Sequence, residues 1–409
     1  MPIEPSSRYK KRSIIENGRM KLLTLARKLQ NAGTEILTIG GGDPVQYGFI
    51  DQNLSNVLIQ AAEKGLHMYS YWIDCLSDLK NAITQFEKKH RNVNYTAEDI
   101  ILAPGVAGAF QVIHYSLLDA GDQVVTFEPT HYITGPTSYF HVFGSTVTTS
   151  RSIEEEDWKP DVEQLRMKIN DKTKIIVIVN PNNPTGAAYD EKTLTDIINI
   201  AGEYDIPIIS DEIYGLITFD DLKVKSIAEI AEDVPTIVLS GMSKVFMSTG
   251  WRVGYIGFHD PQEKIVEVKK TVKMMAESYG HASSCIATPI LYAAIAAFRG
   301  APEEAKKMMK QLQVHRDFTL KCLNEIEGIT CTKPKGAFYA FPRVNAIGEM
   351  WKSDEEFLLE LLKDEHLLFS FPGSMYGNSG HGHFRTLLLP QLEILKEAYD
   401  RLERFMAKK

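Results

Sequence analysis

Cysteine is scarce in this chain. Four residues of 409 (Cys75, Cys285, Cys322 and Cys331) are spread along it, and no CxxC pair occurs. That argues against a disulfide framework or a zinc cluster and suits reduced thiols in a cytoplasmic protein. Long apolar runs are missing too: none reaches the roughly 18 residues that a membrane-spanning helix needs. The N-terminal stretch MPIEPSSRYKKRSIIENGR is polar and basic and has no apolar core of a secretory signal. Positive charge is not in excess. Lys and Arg number 45 against 53 Asp and Glu, a net charge of −8. A broad nucleic-acid footprint is therefore absent. A small anionic ligand stays open, because it needs only a local basic pocket.

What is present is ordinary globular usage, 44% hydrophobic and 24% charged. The length suits two domains or one large α/β domain with an appendage. The expected division is an arm and part of a small domain over 1–45, a large domain over 46–300, and a small C-terminal domain over 301–409. From about 98 to 260, short apolar strands alternate with helical segments. Candidate strands are Ile100–Leu102, Gln123–Phe127, Ser145–Thr149, Lys174–Val179, Ile206–Ser210, Thr236–Leu239 and Val253–Phe258. β-Branched runs such as Ile175-Ile176-Val177-Ile178-Val179 suit a parallel sheet covered on both faces. The fold class expected is α/β: a mixed, mostly parallel sheet in the large domain, plus a smaller α+β domain with a strand over Gly336–Phe341.

Ligands of such sheets bind beyond the carboxyl ends of the strands. Those ends carry an unusual set of residues. Asn180-Pro181-Asn182-Asn183-Pro184-Thr185-Gly186 follows one strand and Asp211-Glu212-Ile213-Tyr214 the next. Ser240-Gly241-Met242-Ser243-Lys244 follows a third, with Arg252 just beyond. Gly105 stands between a strand and a helix, where free N–H groups can seat a phosphate. One cofactor asks for this collection: a phosphate-bearing aldehyde on a protonated pyridine ring. The aldehyde needs a lysine amine for a Schiff base, supplied by Lys244. The ring nitrogen needs a carboxylate, supplied by Asp211. The ring oxygen needs donors, met by Asn183 and Tyr214. The phosphate needs Arg252 and the 105–109 turn. Each residue alone has a plainer explanation as a helix cap, a turn or a surface charge; their joint occurrence at successive strand ends carries the inference.

The motifs NPNNPTG, SDEIYG, SGMSK and GWRVGY resemble those of the class I/II aminotransferases, pyridoxal-phosphate enzymes of fold type I. The resemblance runs from LTIGGGDP to HFRTLLLP and looks closest to archaeal-type alanine/aspartate aminotransferases. It implies pyridoxal 5'-phosphate on Lys244, with Asp211 at the pyridine nitrogen and Asn183 and Tyr214 at the ring oxygen. Ser243, Arg252 and the backbone of Val106 and Ala107 are implied at the phosphate. Arg385 is implied as the clamp of the substrate α-carboxylate, with Asn183 and Gly42 of the Gly40–Gly42 turn beside it. The ring-stacking position falls on His131, with Tyr132 next to it. A homodimer with shared sites is implied, Tyr69 reaching the partner's phosphate. The substrates implied are an amino acid, alanine or aspartate, and a 2-oxo acid such as 2-oxoglutarate, exchanging the amino group by a ping-pong route.

Two segments depart from the family pattern. Cys75 stands where a glycine is usual after Tyr69, and the 105–109 turn lacks the usual hydroxyl or Glu. His131 and the altered 69–75 segment motivate the alternative of a lyase, synthase or oxidase on the same fold. A cofactor-sensing module joined to a DNA-binding domain has no room before residue 37, and intact Lys244 and Asp211 speak against an inactive scaffold. His381 and His383 read as part of the loop that positions Arg385, and no metal is expected. Arg8, Lys10, Lys11 and Arg12 read as solvated.

Overall fold

The computed structural model describes residues 17–69, 74–131, 134–135, 140, 144–278 and 286–409. The first strand, β1 (Leu37–Ile39), stands apart from the central sheet. That sheet is made of the next eight: β2 (Ile100–Ala103), β3 (Gln123–Glu128), β4 (Thr146–Ile153), β5 (Lys159–Pro160), β6 (Thr173–Val179), β7 (Ile208–Asp211), β8 (Thr236–Gly241) and β9 (Gly254–His259). Their order in space is 2-9-8-7-6-3-4-5. The pairs β4/β3, β3/β6, β6/β7 and β7/β8 are parallel. β9 runs antiparallel to both β2 and β8, and β5 antiparallel to β4. The sheet is thus α/β, mixed and mostly parallel.

Successive residues of a strand face opposite sides, and this sheet buries both. Val124, Ile175, Val177, Ile209, Ile237 and Ile256 pack into one core with the helices Gly105–Leu117 and Val266–Ser278. Their neighbours Val125, Ile176, Ile178, Ile208, Val238 and Tyr255 pack into another, beneath the helices Cys75–Arg91, Glu191–Glu203 and Thr288–Arg299. Burial on two faces is why these strands are continuous apolar runs rather than alternating ones.

A further core is built from both ends of the chain. Leu22 and Ala26 of the helix Asn17–Asn31 join side chains of the helices Glu303–Glu325, Asp354–Glu365 and Leu392–Met406. Short strands thread it: β10 (Ile329–Thr330), β11 (Tyr339–Ala340), β12 (Arg343–Val344), β13 (Leu367–Phe369) and β14 (Thr386–Leu387). β1 pairs in parallel with β13, Leu37 opposite Leu367. β11 pairs with β14, Tyr339 opposite Leu387. The strand expected over Gly336–Phe341 is only two residues long. The N–H groups of Lys335 and Gly336 donate instead to Gly186 O (2.8 and 2.9 Å), and that of Ala337 to Ile217 O (3.0 Å). This segment is stitched to loops at the edge of the central sheet. Ile213, Tyr214, Ile217 and Met247 from those loops enter the third core, so the carboxyl ends of β6, β7 and β8 meet the chain-terminal unit there.

Candidate active site

A cavity of about 300 Å³ opens at that junction. Much of its wall comes from strand ends. After β6, Asn182 Oδ1 accepts from the N–H and the hydroxyl of Thr185 (3.2 and 2.9 Å), which tightens the Pro-rich turn and presents Asn183. Asp211 ends β7. Ser243 and Lys244 follow β8, and Gly105 follows β2. Gly42, Val106, Ala107, His131, Asn183, Asp211, Tyr214, Ser243, Lys244, Arg252 and Arg385 all line this one cavity. Tyr69 is outside its wall and 64% exposed. Tyr132 lies outside the described residues, as do Tyr71, Trp72, Cys285 and the basic arm residues.

The polar groups are tied together. Lys244 Nζ donates to Gly42 O at 2.6 Å and lies 5.8 Å from the Tyr214 ring centre. Asp211 Oδ1 accepts from the N–H of Ile213 at 3.1 Å. Burial pushes the Asp211 carboxyl up to about 7, the Ile213 bond and Lys244 opposing and Glu212 assisting. Burial also pushes His131 down to about 3, with Arg385 and Lys244 adding repulsion, so its ring is neutral at physiological pH. Tyr214 shares a hydrogen bond with Tyr339, hydroxyl to hydroxyl at 2.7 Å, and burial raises its pKa well above the ordinary value. Arg385 donates to Asn183 Oδ1 (3.1 Å) and Gly40 O (3.3 Å), and its guanidinium lies over Phe371 and Tyr339. Its Nε is buried without an acceptor.

Three cavity residues escaped the strand-end reasoning. Tyr339 and Phe371 arrive from the C-terminal third, and only the aromatic run Phe338-Tyr339-Ala340-Phe341 hinted at either. Thr249 donates to Asp43 Oδ1 at 2.6 Å and so joins the turn after β1 to the loop before Arg252. Behind Asp211 lies a buried ionic cluster. Arg91 pairs with Glu212, which also accepts from Ser210 and Ser226 (2.8 Å each) and from the N–H of Ile227 (2.9 Å). Tyr255 donates to Glu87 at 2.5 Å beside them. His383, instead of facing the cavity, stacks on Phe341 and is buried. Among the described residues no three metal-ligating side chains converge, and no helix is long and apolar enough to cross a membrane.

Residues 49–402 match the family model for aminotransferase class I and II. The chain belongs to that family. It is 32% identical to an aspartate aminotransferase of Bacillus subtilis over 391 residues, 94% of either chain. It is 31% identical to an alanine aminotransferase of Mycobacterium tuberculosis over 384 residues, 93% of this chain and 88% of the other. Among solved structures, an alanine aminotransferase from Pyrococcus furiosus superposes with a TM-score of 0.91 at 40% identity, over 99% of this chain and all of that one. The aminotransferase is thus a transferase of amino groups that uses pyridoxal 5'-phosphate, and the lyase, synthase or oxidase alternative is not favoured.

The residues present fit that cofactor. Gly105 has φ +73°, and a Cβ there would sit 2.6 Å from Arg252 Nη2. The guanidinium is therefore packed directly against the start of the helix Gly105–Leu117, at a wall that Val106 and Ala107 also form. A cation beside a helix N-terminus suits a phosphate. At the far wall, Asp211 is a buried carboxylate with no ion-paired cation among the described residues, which a protonated ring nitrogen would supply.

Proposed function

We propose that this aminotransferase exchanges the amino group between alanine and 2-oxoglutarate. Of the relatives, the M. tuberculosis and P. furiosus proteins are named for alanine and that of B. subtilis for aspartate. The observation that carries the reading is the convergence of Lys244, Asp211 and Arg385 on one cavity. The cavity's apolar wall, Phe371, Tyr339 and Ile213, suits a small side chain.

Arg252, Ser243 and the amides of Val106 and Ala107 would hold the phosphate. Asp211 would keep a proton on the ring nitrogen, and Tyr214 and Asn183 would hold the ring oxygen. His131 would flank the ring as a neutral face. When bound, the cofactor supplies an electrophilic carbon and a cationic ring that can take up an electron pair. Lys244 would tether it through Nζ, and when free that amine would serve as the base that takes the proton from the substrate Cα. Arg385 grips the α-carboxylate as a bidentate fork, its planar head steadied by Asn183 and stacked on Phe371. Gly42 must lack a side chain, because a Cβ there would overlap the Tyr339 hydroxyl.

The same reading makes the protein a cytoplasmic homodimer, with Tyr69 passing to the partner's phosphate. Its exposure, and its place outside the lining of its own cavity, support that role. It also divides the chain into a large unit over 46–300 and a small one from 1–45 and 301–409, which the β1/β13 pairing supports. The test is spectroscopic. Lys244→Ala should lose the visible absorbance of the lysine-bound cofactor, and in the natural protein alanine and glutamate added singly should bleach it. A coloured, active Lys244→Ala variant, or bleaching by neither amino acid, overturns the reading.

A further inference from the structure

Arg385 stands at the end of a loop, and the central sheet holds that loop from the other side of the cavity. We propose that Glu128, the last residue of β3, is the positioning residue that sets where Arg385 stands, by gripping the backbone of the loop 373–383. The proposal rests on the assignment of Arg385 to the α-carboxylate above.

β3 lies between β4 and β6 and is buried along its whole length, so its end is a firm anchor. Glu128 is buried there, and its Oε2 accepts from the N–H of Asn378 at 2.9 Å, across 250 residues of chain. Just beyond it, the N–H of Thr130 donates to Tyr376 O at 3.0 Å. A Cβ on Gly377 would overlap the Glu128 carboxylate, so the loop lies directly upon it. From there the loop is knit through to the clamp. The N–H of Gly380 donates to Gly377 O (3.0 Å), that of His383 to Gly380 O (3.1 Å), that of Gly373 to His383 O (2.8 Å) and that of Arg385 to Phe371 O (3.0 Å). The Arg385 guanidinium then rests over the Phe371 ring, 3.9 Å from its centre. A shift at Asn378 is passed on to Arg385, because hydrogen bonds close the chain between them.

Glu128 does not line the cavity, so it acts on a substrate only through the loop. Burial pushes its carboxyl up, and bonds from Asn378, Thr149 and Ser379 hold it back. A carboxylate makes stronger bonds to backbone N–H groups than a neutral acceptor does, and a buried carboxylate is costly once those donors withdraw. The grip is therefore mutual. Glu154, after β4, stands 3.2 Å from His383 Nε2, but it is shared with Arg343 of β12 at 2.8 Å. The same anchor reaches the cofactor side of the cavity. His131, just past Glu128, is part of the wall, and Asn182 Nδ2 donates to Pro129 O at 3.4 Å. Glu128 thus fixes the clamp relative to the wall that faces the ring. That separation is the span an amino acid must bridge between its α-carboxylate and its reacting nitrogen.

The test uses the holoenzyme and propanoate, which is alanine without its amino group and cannot react, titrated through the visible absorbance of the bound cofactor. In Glu128→Ala the affinity for propanoate should fall about 10-fold or more. The KM values for alanine and 2-oxoglutarate should rise together, kcat should fall less than kcat/KM, and the cofactor's own dissociation constant should stay close to the natural value. Glu128→Gln, which keeps an acceptor oxygen, should recover part of the propanoate affinity and serves if the alanine variant fails to fold. Leu194→Ala opens a hole in the core beneath the helix Glu191–Glu203, away from the loop; it should lose stability and keep propanoate affinity. Natural propanoate affinity in both Glu128 variants, an equal loss in Leu194→Ala, or a matching loss of cofactor affinity overturns the proposal. The underlying assignment fails separately: it falls if Arg385→Met still binds propanoate at natural strength.

Discussion

Asp211→Asn should make the cofactor-free protein more stable and the loaded one worse. The carboxyl titrates near 3.8 in an unfolded chain and is raised to about 7 in the fold, chiefly by burial. The native state without cofactor therefore binds this proton more tightly than the unfolded state does. Below pH 4 both states hold the proton and the group is neutral in the balance. Between about pH 4 and 7 its ionisation favours unfolding by about 1.4 kcal/mol per pH unit, which levels off near 4 kcal/mol above pH 7. Asparagine keeps the shape and the acceptor for the Ile213 N–H (3.1 Å) without the buried charge. Its buried NH₂ recovers less than the full sum, so a gain of about 2–4 kcal/mol is expected at pH 8 and little at pH 4.5. Urea unfolding of the cofactor-free protein at both values measures it. A pyridinium cation restores the carboxylate in the loaded protein, so there the variant should lose cofactor affinity and, since each ~1.4 kcal/mol is tenfold, orders of magnitude in rate. Equal stability of the two cofactor-free proteins at pH 8, or the same difference at both pH values, would refute the argument.

Gly105→Ala puts a side chain at φ +73° and 2.6 Å from the Arg252 guanidinium. The cofactor's dissociation constant should rise about tenfold or more, read by titrating the cofactor-free protein. Gly33→Ala, at φ +90° but with open space around its Cβ, carries strain alone and should leave that constant unchanged. Arg91→Met leaves Glu212 buried without its partner and should destabilise the protein by about 3–5 kcal/mol. A loss under about 1 kcal/mol in urea unfolding would show that Glu212 is satisfied by Ser210, Ser226 and Ile227 alone.

The strand-end motifs were legible because they sit where a buried apolar run stops and Gly, Pro, Asn or Ser begins; the burial of β6, β7 and β8 on both faces makes that boundary sharp. The direction of β9 was not. An apolar run reads alike whichever way the strand points, so Val253–Phe258 did not announce its antiparallel pairing with β2 and β8. Tyr339 and Phe371 were hidden for another reason. They reach the site through packing between segments more than a hundred residues apart, of which short-range pattern carries little trace. Arg91 closes the charged run Glu87-Lys88-Lys89-His90-Arg91, which has the look of a solvated helix face, yet Glu87 and Arg91 are buried one turn apart. Spacing of four residues permits that pairing of faces; only the partner Glu212, from β7's end, makes it affordable to bury.

The pairing of β1 with β13 has a consequence for synthesis on the ribosome. Leu37 must wait for Leu367, about 330 residues later, before its backbone partner exists. Until then Leu22, Ala26 and Ile39, all bound for the third core, have no cover from the helices that will shield them. The central sheet can assemble as its strands emerge, whereas the leading segment stays an unfinished surface until the last hundred residues are made. A nascent chain stalled before residue 367 would thus carry a formed sheet and an open, adhesive leading end.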